Sequence, residues 1–216
     1  MSGQARVDHA VTSGTFSLDG ETFEVDNNIW VVGDDDECVV IDAPHSVDDI
    51  LAVVGGRRVK AILLTHAHDD HCRVAPALRE AVNEGGGAPI FLHPDDKPLW
   101  ELTHGDSETG EYLWDLDLPD GWELSVAGTT IRTLHTPGHA PGACCFLVED
   151  LGCVFTGDTL FKGGPGATGR SFSDRNTLEE SIRAKLFPLP NDIVVHTGHG
   201  DDTTIGDERA DSFDWD

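Results

Sequence analysis

Three histidines and two aspartates stand within six residues in His66-Ala67-His68-Asp69-Asp70-His71, directly after the apolar run Val59–Leu64. Imidazole and carboxylate together suit Zn²⁺, Fe²⁺ or Mn²⁺. In an extended segment, residues two apart face the same side, so His66 and His68 can grip one ion. A helix is expected to begin near Arg73, and at that turn Asp70 and His71 project elsewhere, towards a second ion. The alternative, a histidine-rich surface loop, fits poorly with a cluster placed right behind a buried strand.

Three later segments carry further donors, each on a Gly-bounded loop at the end of an expected strand. His139 lies in Thr136-Pro137-Gly138-His139-Ala140-Pro141-Gly142, Asp158 in Thr156-Gly157-Asp158-Thr159-Leu160-Phe161, and His199 in Thr197-Gly198-His199-Gly200. A rigid scaffold can aim such loops. Singly, a histidine in a glycine turn is more often structural; the four loops in this order form a specific pattern. The order HAHDDH, TPGHAPG, TGDTLF and TGHG resembles the metallo-β-lactamase superfamily from about Val25 to Ile205. Its hydrolase branch, which includes glyoxalase II, is the nearest. The stretch GGPGATGRSFSD, with VVHTGHGDDTTIG, is similar to actinobacterial-type members proposed to act on mycothiol thioesters.

The resemblance implies an α/β (α+β) fold, an αββα sandwich with a binuclear centre at the sheet edges. It implies that His66, His68 and His139 hold the first metal, that Asp70, His71 and His199 hold the second, and that Asp158 bridges them. Every ligand of the family pattern is present. Two divalent ions, Zn²⁺ first with Fe²⁺ or Mn²⁺ as alternatives, make hydroxide available at neutral pH without a Ser or Cys nucleophile. Asp70 is then placed to accept the proton, and with Asp158 it forms the catalytic pair. The implied reaction is hydrolysis of a thioester or related acyl conjugate of a small thiol, because a thiolate leaves without a strong general acid. Two alternatives come from the same superfamily. One is a mono-iron persulfide dioxygenase, using the equivalents of His66, His139 and Asp158; the other is a phosphodiesterase. β-Lactam hydrolysis fits the GDTLF-type loop poorly.

Around these donors, Arg170 in Gly169-Arg170-Ser171 has the planar fork to pair with a substrate carboxylate, or else makes a structural salt bridge. His45, after a strand, is expected near the site in contact with substrate, and Asp42 to orient a ligand, since metal-bound histidines donate their free N–H to an acceptor. His93, His104 and His135 read as structural or surface residues. His196 is close to His199 but lacks its glycine flanks. The segment Lys97–Gly121 reads as a loop whose Trp100 and Trp114, with Trp122 beyond it, shape the mouth of the site or enter the core.

Short apolar runs must position these loops as strands: Ile29–Val32, Cys38–Ile41, Val59–Leu64, Ile90–Leu92, Thr130–Leu134, Cys144–Val148, Cys153–Phe155 and Ile193–Val195. Helical patterns cover Val47–Val54, Arg73–Val82 and Thr177–Leu186, the last capped at Asn176 or Thr177 and followed by Pro188. The 216 residues are read as one domain, Met1–Asp216, with a core from about Thr15 to Gly206 and a loosely ordered acidic tail, Asp207–Asp216.

Forty acidic side chains against 14 basic ones give a net charge of −26, which repels phosphate backbones and disfavours a nucleic-acid partner. The partner expected is a small-molecule substrate, with a homodimer left open. No apolar stretch approaches the roughly 20 residues that span a bilayer, so no membrane partner is expected. The N-terminus lacks the pattern of a signal peptide, which makes a cytoplasmic location the expectation. Five cysteines form no CxxC pair, and all are expected to be reduced packing residues.

Overall fold

The structure is a computed structural model that describes residues 3–105 and 114–212. Two six-stranded sheets form its centre. The first contains, in spatial order, β1 (Arg6–Leu18), β2 (Glu21–Gly33), β3 (Glu37–Ile41), β4 (Arg58–Leu63), β5 (Ile90–Leu92) and β6 (Leu116–Asp117). The second runs from β7 (Glu123–Val126) through β8 (Thr129–His135), β9 (Cys144–Val148) and β10 (Cys153–Gly157). A short hairpin, β11 (Leu160–Phe161) and β12 (Gly164–Pro165), follows in the chain, and β13 (Val194–Thr197) and β14 (Thr203–Thr204) complete the second sheet.

The inner strands are apolar almost without interruption because both of their faces are buried. Trp30, Val32, Val39, Ile41, Leu63, Phe91, Phe146 and Phe155 point between the sheets and form the central core. Their neighbours one residue away, such as Val31, Val40, Ile62 and Ile90, point outward from the first sheet. There they meet α1 (Val47–Val54), α3 (Ala75–Ala81) and α4 (Lys97–His104). Cys145, Leu147 and Val154 do the same on the second sheet, against α5 (Arg175–Ser181) and α6 (Ile205–Asp211). The expected αββα layering is what these alternating faces produce.

Four departures from the sequence reading matter. The expected helix Arg73–Val82 is the shorter α3, and a separate short helix, α2 (Asp69–Cys72), precedes it, so Asp70 and His71 sit on a helical turn of their own. Helix α5 starts earlier than expected, because the Asp174 side chain accepts from Thr177 N and caps it; a π-helical turn, Ile182–Leu186, continues it. Residues read as a loop from Lys97 form α4, with Pro98 in the first turn, where its missing N–H costs nothing. The tail read as loosely ordered begins as α6, capped by Thr204 and anchored by buried Ile205 and Glu208; its last residues, 213–216, lie outside the described ones. All five cysteines are buried and free. No helix among the described residues is long and apolar enough to cross a membrane.

The donor-bearing loops all leave one edge of the sandwich. Two backbone bonds tie the two sheets together there, Cys144 N to Thr65 O at 2.7 Å and Asn28 N to Gly198 O at 2.8 Å; within the second sheet, Gly198 N to Gly157 O at 2.9 Å joins β10 to the loop after β13.

Candidate metal centre

Beyond β4 the chain stays extended, and His66 and His68 do turn to one side. His66 Nε2 lies 3.0 Å from His68 Nδ1, and His139 Nε2 lies 3.0 Å from the same atom. Nitrogens this close are what neighbouring ligands about 2.0–2.1 Å from a shared ion require. One helical turn further, Asp70 Oδ2 lies 3.6 Å from His71 Nε2, and His199 Nε2 lies 3.2 Å from each of them. Asp158 stands between the two groups. Its Oδ1 is 3.3 Å from His71 Nε2, while its Oδ2 is 3.5 Å from His199 Nε2 and 3.6 Å from His139 Nε2. The glycine before His199 is required by this crowding: a Cβ on Gly198 would lie 2.4 Å from Asp158 Oδ1.

The far side of each ring shows which nitrogen is free. His71 Nδ1–H donates to Asp42 Oδ2 at 2.8 Å, His139 Nδ1–H to Ala167 O at 2.8 Å, and His199 Nδ1–H to Asp26 O at 2.7 Å. The Thr65 hydroxyl donates to Asp42 Oδ2 at 2.8 Å and so accepts from His66 Nδ1–H at 3.0 Å. Four imidazoles thus aim Nε2 into the cluster, the far-side bond at Nδ1 being the kind that orients metal-ligating histidines. Buried Asp158 Oδ1 and His68 Nε2 have no hydrogen-bond partner among the described residues. A buried unpaired carboxylate oxygen and converging ring nitrogens fit a cation and are costly without one.

The two groups differ in charge. Burial pushes the His66 imidazole well below its ordinary pKa and that of His68 down to about 3, so both are neutral. Burial acts the same way on His71 and His199, but the Asp158 and Asp70 carboxylates outweigh it. They hold His71 well above its ordinary value and His199 up to about 10. In return, although burial alone would raise them, the Asp70 carboxyl is held at about 2 and that of Asp158 well below the usual range.

A fold of this layering, with these donors on loops at one sheet edge, narrows the families it can join, and sequence comparison decides among them. Residues 23–199 match the family described as the metallo-beta-lactamase superfamily. The chain belongs to that superfamily. It is 40% identical over 159 residues to hydroxyacylglutathione hydrolase GloC of Haemophilus influenzae, covering 70% of this chain and 73% of that one. Among solved structures it is similar to the BLEG-1 B3 metallo-beta-lactamase (TM-score 0.75, 29% identity, 92% of this chain and 97% of that one). It is also similar to TTHA1623 in a di-iron-bound form (TM-score 0.71, 31% identity, 92% and 96%). As a metallo-hydrolase of the metallo-beta-lactamase superfamily, the chain carries His/Asp clusters of the kind that bind divalent metals.

Other expected residues take varied places. A pocket of about 390 Å³ opens over the donors, walled by Phe16, Val25, Ala167, Thr168, Arg170 and Ser171 among others. Arg170 therefore lines the pocket, and it also pairs with exposed Glu21 at 2.9 Å and lies over the Phe23 ring. His45 stands one residue back: its Nε2–H donates to Asn27 Oδ1 at 2.7 Å. Asn27 in turn donates to Asp70 O at 2.9 Å and Asp70 Oδ2 at 3.1 Å. Trp100 is fully buried beside Trp114, and Trp122 packs on Phe91, so these aromatics belong to the core rather than the pocket mouth. Residues 106–113 of that segment lie outside the described ones. His196 bonds Asp202 and packs at a tilt against Trp30, apart from the donors.

Two buried residues escaped the sequence reading. Asn27 carries no motif, and Asp96 in His93-Pro94-Asp95-Asp96 looks like one more acid in an acid-rich chain. Only the contacts single them out.

Proposed function

We propose that the protein hydrolyses a thioester, or a related acyl conjugate of a small thiol, with two divalent ions. His66, His68 and His139 hold one ion, Asp70, His71 and His199 the other, and Asp158 both. The donor set of imidazoles and carboxylates favours Zn²⁺, with Fe²⁺ or Mn²⁺ as alternatives. Such ions supply a hydroxide nucleophile at neutral pH and stabilise developing negative charge.

The observation that carries the thioester reading is the lining of the pocket. Apart from Asp26 and Arg170, every titratable side chain in it belongs to the donor groups. Among the described residues, no lysine or cysteine lines it to protonate a leaving group. The five cysteines are buried, and burial raises each thiol above its ordinary range, so none serves as nucleophile either. Such a lining suits a leaving group that departs unaided, and a thiolate is one. Phe16 and Val25 give the acyl part an apolar wall. Arg170 offers its fork of N–H donors to a carboxylate on the thiol carrier. The name of the Haemophilus influenzae relative, a hydroxyacylglutathione hydrolase, supports the same reading.

The test is metal-loaded protein on a panel of acyl conjugates of small thiols alongside matched oxygen esters and phosphodiesters. Hydrolysis of thioesters, with little of the oxygen esters, is expected. Preferential cleavage of another ester class overturns the reading. A single iron per chain with oxygen uptake on a persulfide would replace it with a dioxygenase.

A further inference from the structure

Asp96 stands where helix α4 begins, as its N-cap residue, yet its side chain makes no capping bond to that helix. An aspartate at this position ordinarily accepts from the N–H groups of the first turn. Here the carboxylate points the other way. Oδ2 accepts from Ala67 N at 2.8 Å and Oδ1 from Gly142 N at 2.5 Å. Ala67 lies between His66 and His68, on the loop from the first sheet. Gly142 closes the Gly-Pro turn that carries His139, on the loop from the second sheet. One side chain thus holds both loops that supply the nitrogen-only donor group.

We propose that Asp96 is a positioning residue that clamps the His66/His68 loop to the His139 loop and so sets the spacing of the first metal's ligands. Its surroundings show that the position is costly. Asp96 is completely buried with another acid, Asp95, beside it, and burial pushes its carboxyl up to about 7 despite the two N–H bonds. A residue serving packing alone would be better replaced by an apolar side chain. Space is shaped to the carboxylate as well: a Cβ on Gly142 would lie 2.9 Å from Asp96 Oδ1 and 2.8 Å from Asp96 N. Glycine at 142 therefore follows from the clamp, although its backbone angle is not in the left-handed region.

The inference rests on His66, His68 and His139 being ligands and does not depend on which ester is cleaved. It is tested on the full chain by Zn²⁺ titration against a chromophoric chelator. Asp96→Asn, Gly142→Ala, their double variant, Asp95→Asn and His66→Ala are compared with wild type. An amide at 96 can accept from only one of the two loops, and a methyl at 142 displaces the carboxylate from the other side. Each is expected to weaken the first ion by about 10–100-fold, the range for losing a residue that orients ligands. Because both break the same clamp, the double variant is expected to fall no further than the worse single one. Asp95→Asn leaves the affinity as it is. Co²⁺ absorption of the first site shifts with the two clamp variants, which a general loss of stability does not produce.

Unchanged affinity and spectrum in Asp96→Asn and Gly142→Ala, with His66→Ala weakened, overturns the clamp. An unaltered His66→Ala overturns the ligand assignment instead. If Asp96→Asn fails to fold, Gly142→Ala, which retains the carboxylate, decides alone.

Discussion

The two donor groups lie side by side and are built on opposite principles. The first is nitrogen only, its His66 and His68 kept neutral by burial, and it is assembled from two sheets by bonds to backbone atoms. The second mixes imidazoles with carboxylates that hold His71 and His199 protonated when no cation is present. A cation entering the first group displaces no proton from His66 or His68. At the second it must compete with protons that the same carboxylates have stabilised. On the proposed assignment, the first group is expected to take its ion ready-made and the second to exchange proton for metal.

Asp158 is the point at which the comparison can be broken most severely, because it touches both groups. Asp158→Ala is expected to leave one tightly held ion instead of two. It should lower kcat/KM by more than the ~10²–10³-fold that loss of one preorganised donor costs. Metal analysis after gel filtration, together with kinetics on the best substrate, checks both. Two ions retained at wild-type affinity would show that the groups do not depend on a shared carboxylate.

A smaller effect, but a sharper one, is the pH dependence of binding. Lowering the pH favours the protonated state of His71 and His199, whose values stand above neutral, and so opposes the cation there. Displacing two protons makes the second ion's association constant rise by up to about 100-fold per pH unit between pH 6 and 8. His66 and His68, neutral throughout that range, contribute no such slope to the first ion. Competition titrations at three pH values separate the two. Equal slopes for both ions would sink the distinction.

How much of this could be read in advance follows from what each residue touches. The inner strands were legible because burial on both faces leaves unbroken apolar runs such as Ile29–Val32 and Cys144–Val148. Strand β1 was not. Its faces alternate only weakly, with Thr12 and Leu18 alone fully buried, and its extended form comes from the long antiparallel pairing with β2. Helix α4 was hidden by Pro98, which marks a break unless it falls in the first turn. The sequence placed all seven candidate donors on loops that the fold brings together, since histidines and aspartates in glycine turns after strands are conspicuous. Asn27 and Asp96 were invisible: their partners lie on segments far along the chain, and no spacing rule reports those.

The comparison can be drawn finest at Asp42, whose Oδ2 supports both groups by different routes. It accepts directly from His71 Nδ1–H, and it accepts from the Thr65 hydroxyl, which in turn accepts from His66. Asp42 has a positive φ of 62°, a conformation that asparagine also tolerates, so Asp42→Asn keeps the backbone and changes only the acceptor. An amide nitrogen in place of Oδ2 removes the acceptor from His71, and the second ion is expected to weaken by about 10–100-fold. The first ion, reached only through Thr65, should weaken less. Thr65→Val inverts the pattern: the hydroxyl is lost, His66 loses its acceptor, and His71 keeps Asp42. The first ion should then weaken by about 10-fold while the second holds, the low end of what such supporting bonds contribute. Titrating both ions in both variants therefore gives a crossed result if the groups are supported separately. Parallel losses would mean that Asp42, Thr65, His66 and His71 act as one unit, and the division between ready-made and exchanging halves would have to be redrawn around Asp158 alone.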